Sequence, residues 1–520
     1  MEKTIVVSLS LYFKIYGGLN MVSPALEHRI RAKRLLTRVT SPQEAARLVE
    51  DGMAVGIGTG ISSACPKTFF TALANEFKGK GKIKLFTGGP VPDEVDGLLV
   101  EADIVERRFG QFKNPLLLKA ANDRSIPVVE ERTGILPHQV RDGRFGKIDI
   151  AVIQATAITE QGHIIPTTSC LDAPSYTVLA NRVIVEINPN IPEEIEGIHD
   201  IYIPEVAPDR KPIPIVHAGD RIGTPYIPVD PDKIVAIIES NIPDNPPPRP
   251  PINETSQKVA EYLLEFFTNE VKRGRLPTSL LPLQFGIGTI PEAIAEALCE
   301  SVFNDIEIFS GAVGDGGLDL IDAGKVKALS VAALYLSEGG FDRFYKDISR
   351  YKSKIILRPV VIADCPELIA RLGCIAINGA IEVDIYGHVN SSHIQGTRII
   401  SGVGGSCDFL WNAYLSIVVL PSVARKGVIS SIVPMVTHVD HPEHAIDLII
   451  TEQGYADLRG LSPVERAKKI IDKCAHPSYK DILREYLQEA IENRGGHEPH
   501  ILEKAFNLHI AYLKNGTMRS

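Results

Sequence analysis

The stretch "FGIGTIPEAIAEALCES" (Phe285–Ser301) holds two glycines, a proline and a helical run. Gly286 and Gly288 let a backbone turn sharply and come close to a ligand. The helix expected from about Pro291 aims its free N–H groups at that turn, an end that suits a phosphate or a developing oxyanion. A GxG pair is equally a plain strand–helix turn, and the earlier copy, Gly56 and Gly58 of "VGIGTG", reads as that. A second glycine-rich loop, "SGVGGSCDF" (Ser401–Phe409), has amides that could form an anion nest. "VARKG" follows it, so Arg425 or Lys426 could meet a ligand phosphate; each feature gains weight only if all surround one crevice. In "ITEQGYADLRG", Glu452 falls at a strand end, either an acid, base or substrate anchor or an ordinary loop glutamate. "THVDHPEH" gathers His438, Asp440, His441 and His444, and the spacing of the last two fits one helical face. The proline and the lack of a nearby cysteine favour a hydrogen-bonded polar loop, and no metal site is assigned.

The elements that must position these residues follow an α/β pattern. Apolar β-branched runs such as "KIDIAVIQA" and "SKIILRPVVIA" alternate with helical segments such as "PEAIAEALCES". That pattern predicts mainly parallel sheets covered by helices, with ligands beyond the strand carboxyl ends. The order of elements repeats. "VGIGTG" and "FGIGTI" each precede a proline and a helix; "IKLFTGG" matches "IEIFSGA"; "TEQGHIIPTTS" is echoed by "DIYGHVNSSH", and "NRVIVEIN" loosely by "YLSIVVLP". Four matches in one order indicate two copies of one αβ unit. The expected architecture is two tandem homologous open αβα domains, over 21–225 and 257–520. The proline-dense "NIPDNPPPRPPINETS" lies in the connection, taken as 226–256. Thr255 or Ser256 is the expected cap of the helix that follows. Residues 1–20 read as a leader outside the fold, with Met21 a candidate start.

A length of 520 residues fits two domains, and the apolar and charged shares of 44% and 23% fit a globular chain. The net charge of −9 argues against a broad nucleic-acid surface. Seven cysteines without a CxxC pair read as reduced thiols in a cytoplasm. No apolar run reaches the ~18 residues of a membrane span.

Taken together, several long segments resemble the acetyl-CoA hydrolase/transferase family, in its succinyl-CoA:acetate and 4-hydroxybutyrate CoA-transferase branch. They include "DRIGTPYIPVDPDKIVAI", "GRLPTSLLPLQFGIGTIPEAI", "GDGGLDLIDAG", "SGVGGSCDFLWNAYLSI", "VPMVTHVDHPEH" and "TEQGYADLRGLSPVERA". The resemblance implies an enzyme that moves CoA between a short acyl-CoA and a carboxylic acid, or hydrolyses the thioester. It implies CoA at the junction of the two domains, an active-site glutamate as nucleophile, and a homodimer. The implied CoA-binding positions are Gly286, Ile287, Gly288, Thr289, Ile290, Ser401, Gly405 and Arg425, with Arg221 facing the CoA phosphates. Ile287 and Gly405 would supply oxyanion-hole amides, and Glu452 would lie near the acyl or carboxylate site.

One stretch departs from the family. The family's nucleophile stands in a strand ending like S/T-E-V-I-G-D-G, and here the string is S-G-A-V-G-D-G. The glutamate's position is Gly311, where an apolar strand is expected to break into a glycine-rich turn at Ser310-Gly311. Asp315 in the following turn could reach the crevice only if the loop folds inward. Asp364 of "IADCP" stands where related sequences often carry asparagine. In the internal repeat, Gly88 of "LFTGG" is the counterpart of Gly311. The alternative to an enzyme is therefore a non-catalytic acyl-CoA-binding or regulatory protein.

Overall fold

The computed structural model describes residues 22–519 apart from 59, 61 and 62, so the leader expected over 1–20 lies outside the described residues. Two sheets carry the fold. The first consists of β1 (Ala54–Gly58), β2 (Ile83–Thr87), β3 (Val105–Phe109), β4 (Val128–Val129), β5 (Ile150–Ala155), β6 (Arg182–Ile187) and β7 (Ile234–Glu239), in the order β4-β3-β2-β1-β5-β6-β7. The second consists of β8 (Leu283–Phe285), β9 (Ile306–Val313), β10 (Val326–Leu334), β11 (Ile355–Leu357), β12 (Ile375–Gly379), β13 (Leu415–Val419), β14 (Leu448–Thr451) and β15 (Gly454–Asp457). Its order is β11-β10-β9-β8-β12-β13-β14-β15. Removing β15 leaves the same order twice, each strand of the second sheet repeating the place of one in the first. All pairings are parallel except that of β15 with β14.

The strands read as continuous apolar runs because helices and loops cover both faces; all six residues of β5 are buried. A duplicated small hairpin follows β5 and β12, at Ala157–Ile158 with Ile164–Ile165 and at Glu382–Asp384 with Val389–Asn390.

The connection begins later than its composition suggested. Residues 234–239 fall inside the stretch taken as a linker, yet they form β7, the edge strand of the first sheet. The strand-like "IVAIIE" outweighs the prolines flanking it. The helix α3, after α1 (Lys67–Phe77) and α2 (Ala173–Leu179), spans Glu254–Lys272. Its cap is Asn253, not Thr255 or Ser256: Asn253 accepts from the Ser256 amide, and Ser256 answers as the other half of a capping box.

The halves are joined by more than the linker. Leu334 N donates to Thr168 O at 3.1 Å and Cys170 N to Ala332 O at 2.8 Å, so the loop before α2 lies against β10. Buried Arg358, just after β11, pairs with buried Asp200 from the first half and donates to Ser330 Oγ at 2.7 Å. Losing one partner of such a pair strands the other, at about 3–5 kcal/mol. Among the described residues, no helix is long and apolar enough to cross a membrane.

Candidate active site

The carboxyl ends of β8 and β9 form the floor of the site. β9 does not break at Ser310-Gly311 as expected; it runs on to Val313, because Ser310 and Ala312 keep pairing with Val331 and Ala333 of β10. Gly311 is thus a strand residue beside a cavity rather than a turn residue. After β8 the chain turns through Gly286 and Gly288, the latter at φ 135°, into α4 (Thr289–Glu300). A Cβ added at either glycine would meet open space.

The cavity measures about 470 Å³ and has walls from both halves. The second half contributes Gly286, Ile287, Gly311, Asp364, Ser401 and Gly402 to Gly405, and the first contributes Gln111, Lys113, Thr133 and Leu171. A second cavity of about 520 Å³ shares Gly286, Ile287 and Gly379 with it and continues past Gly288, Thr289, Ile290 and Pro291. Together they make a groove that runs from the domain junction over the start of α4. Of the sequence-derived CoA positions, Gly286 to Ile290, Ser401 and Gly405 line this groove.

The glycine-rich loop is held in place from the first half. Val403 N donates to Glu130 Oε1 at 2.6 Å, and Gly404 O accepts from Thr133 N at 3.1 Å. A Cβ on Gly402 would run into Gln111 Oε1. The amides of Ile287 and Gly405 have no acceptor among the described residues.

Above Gly311 lies the carboxylate of Asp364. A Cβ on Gly311 would stand 2.7 Å from its Oδ1, and one on Gly405 2.5 Å from its Oδ2. Asp364 is 2% exposed, and its Oδ1 has no hydrogen-bond partner among the described residues. Burial, then the nearby charges of Asp408 and Asp172, hold its pKa well above the usual carboxylate range. Asp408 is pushed up to about 6 by burial, against the pull of Arg132, whose Nη1 lies 3.0 Å away, and of the Gly134 amide. Asp172 is pushed up by burial to about 8, and both its oxygens are without partners among the described residues.

Four expected site residues stand elsewhere. Both oxygens of Glu452 are taken by Ser422, through its amide at 2.8 Å and its hydroxyl, and Gln453 donates at 2.9 Å. Burial raises the Glu452 pKa, but these hydrogen bonds outweigh it and hold the group below its usual value. It lines neither cavity. Asp315 caps the turn after β10, accepting from Ser337 N at 2.9 Å and Ser337 Oγ at 2.8 Å, and lines neither cavity. Arg425 donates to Tyr512 OH from an exposed turn at φ 48°. Arg221 spends its guanidinium on the carbonyls of His199 (2.9 Å) and Ile198 (3.3 Å) and lines a separate depression with Lys327 and Lys354. It does not face the groove.

The "THVDHPEH" residues go to different neighbours. Asp440 accepts from Ser391 and Ser392, His438 lies 3.2 Å from Asp440, and His444 pairs with Glu443. His441 is buried, its pKa pushed down to about 4, with Nε2 3.2 Å from Ser406 Oγ. One group the sequence did not reveal is His388 with Glu443 and Glu498, whose ligand atoms lie within 4.8 Å of one another. Its members come from three distant segments. His388 Nδ1 lies 3.1 Å from Asp384 and Nε2 2.7 Å from Glu443. Burial pushes the imidazole down, but the Asp384 hydrogen bond and the surrounding carboxylates lift its pKa to about 8. Lys113 and Gln111 also escaped the sequence reading; no motif marks them, and only folding brings them to the groove.

The chain matches the family models for the acetyl-CoA hydrolase/transferase N-terminal domain over residues 23–239 and C-terminal domain over 340–487. The stretch with Gly311 lies between those ranges. The chain is 43% identical over 496 residues to the succinyl-CoA:acetate CoA-transferase of Clostridium kluyveri, covering 95% of this chain and 92% of that one. It is 42% identical over 514 residues to the acetyl-CoA hydrolase of Schizosaccharomyces pombe, covering 95% and 98%. In fold it resembles RipA from Yersinia pestis, with a TM-score of 0.69 at 20% identity over 89% of this chain and 97% of that one. It also resembles a 4-hydroxybutyrate CoA-transferase from Porphyromonas gingivalis, with a TM-score of 0.63 at 21% identity over 88% and 99%. A duplicated parallel αβ fold, a groove between its halves and this extent of likeness lead to one conclusion: the chain belongs to the acetyl-CoA hydrolase/transferase family.

Proposed function

We propose that this protein transfers CoA between a short acyl-CoA and a carboxylic acid, or hydrolyses the acyl-CoA when water takes the acid's place. The observation that carries the reading is the convergence of two loops, 286–290 and 402–405, on one groove built by both halves. Backbone amides at such loops suit the phosphates and the thioester oxyanion of an acyl-CoA. In this reading Ile287 and Gly405 donate to the oxyanion, and Gly286 to Ile290 with Ser401 flank the CoA. Lys113, the cation on the cavity wall, faces the carboxylate of the acid. The names of the relatives support the substrate class.

Incubating the protein with succinyl-CoA and labelled acetate tests this: labelled acetyl-CoA is expected, or free CoA if water is the acceptor. A second reading, acyl-CoA binding without turnover, is favoured by Gly311, which carries no side chain where the family nucleophile stands. Under it, CoA binds in calorimetry but neither product forms. Failure to bind CoA would contradict both readings.

A further inference from the structure

We propose that Asp364 supplies the attacking carboxylate in this chain, in place of the side chain that Gly311 lacks. The inference rests on the acyl-CoA reading of the groove. Asp364 is the one acid on the cavity wall among the described residues. Its Oδ1 lies 2.7 Å from where a Cβ on Gly311 would stand, so the carboxylate occupies the space that a side chain at 311 would enter. It also borders Gly405, whose amide has no acceptor among the described residues. No hydrogen bond holds Oδ1 among the described residues: it is buried and unpartnered, an arrangement that costs stability and is not that of a structural carboxylate.

The four serine hydroxyls on the same wall are committed. Ser310 Oγ donates to Phe285 O and Ala312 O, Ser391 Oγ to Asp440, and Ser401 Oγ to Gly402 O. Ser406 Oγ donates to Val403 O at 2.7 Å, although His441 Nε2 stands 3.2 Å away. The glycine and the aspartate also depend on each other. A longer side chain at 311 would push into Asp364, and the glycine makes room for it.

The chemistry balances without a further reactant. Asp364 first gives its proton to water; its carboxylate then attacks the thioester carbonyl carbon, the C–S bond breaks and CoA leaves as thiolate, leaving a mixed anhydride of the acyl group with Asp364. The thiolate attacks the Asp364 carbonyl carbon and the acyl carboxylate departs, leaving CoA as an aspartyl thioester. An incoming carboxylate then reverses the two steps. In hydrolysis water attacks the anhydride and its proton goes to the thiolate.

Borohydride trapping tests this on the full-length protein. Wild type is incubated with acetyl-CoA, reduced, digested and mapped by mass spectrometry, beside Asp364→Asn, with CoA affinity of both measured by calorimetry and folding by thermal melting. Residue 364 is expected to be reduced from acid to alcohol, losing one oxygen and gaining two hydrogens. Asp364→Asn should show no such product and bind CoA within a few-fold of wild type. Reduction at Glu452, an acetyl group on Ser406, or CoA binding with no modified residue would overturn the proposal while leaving the groove's assignment standing. Absence of CoA binding by wild type would overturn the assignment as well.

Discussion

The two halves carry the same GxG motif and use it in opposite ways. In the first, a Cβ on Gly56 would press on the Tyr176 ring at 3.0 Å, and one on Gly58 would sit 2.7 Å from Ala173 and Ile153. Helix α2 is packed against the end of β1 there, and these strand glycines let it approach. In the second, Gly286 and Gly288 meet open space. The element after the equivalent hairpin there is a glycine-rich loop and a helix of five residues, Ser406–Leu410, that leaves the strand ends uncovered. The same motif is thus covered by packing in one half and borders the groove in the other. The glycines one strand away repeat the contrast. Gly88 has buried Asp172 against it, in a place where no Cβ fits, and Leu171 rather than Asp172 forms the groove wall. Gly311 has Asp364 against it, and Asp364 borders the groove. A shared backbone does not make a site; what covers it does.

The largest way to break this contrast is at the loop that keeps the second crevice open. Gly402→Val drives a side chain into Gln111, displaces the loop, and is expected to lower kcat/KM by about 100-fold with the thermal midpoint little changed. Next come the paired glycines. Gly58→Ala overpacks the first half and should cost about 1–3 kcal/mol in denaturant unfolding without altering CoA affinity. Gly286→Ala should do the reverse, lowering CoA affinity while leaving stability within about 0.5 kcal/mol. If both alanines act alike, the halves are not divided as described.

The duplicated hairpins offer a smaller test. His388, in the second one, has a folded pKa of about 8, above its unfolded value, so its contribution is complete below about pH 6.5 and lost as pH rises through 8. His388→Gln should therefore cost about 1–2 kcal/mol at pH 6 and almost nothing at pH 9, read from urea midpoints. The smallest effect concerns the buried acids. Asp364 is faced by Asp408 and Asp172, with Arg132 paired to Asp408. At neutral pH Asp408, at about 6, is mostly charged, and Asp172, at about 8, mostly neutral. Asp408→Asn removes a like charge and should move the rising limb of the pH–rate profile to lower pH; Asp172→Asn should move it less.

Much of the fold was legible in the sequence because it was written twice. The repeated turn, strand, hairpin and strand appear as two sheets with the same strand order. The linker boundary was not, since proline density hides a strand such as β7 that ends just before it. In the site, glycine turns were readable because a GxG followed by a helix has local meaning. Glu452, Arg425 and Arg221 have the right residue types, but their hydrogen bonds go to Ser422, Tyr512 and backbone carbonyls. Only packing decides where a long side chain spends its donors and acceptors. Asp364 drew notice in the sequence only through the family resemblance, and its place over Gly311 depends on β9 and the end of Val360–Ala363 meeting across the groove.

The most direct test of the account is a double-mutant cycle in CoA exchange with Gly311→Glu, Asp364→Asn and the pair together. Each single change should slow exchange, the first because two carboxylates then crowd one buried space, the second because none remains. The double variant should recover much of the wild-type rate, its carboxylate returned to position 311. A Gly311→Glu variant faster than wild type, with Asp364→Asn unchanged, would contradict the claim that the reacting carboxylate of this groove is Asp364.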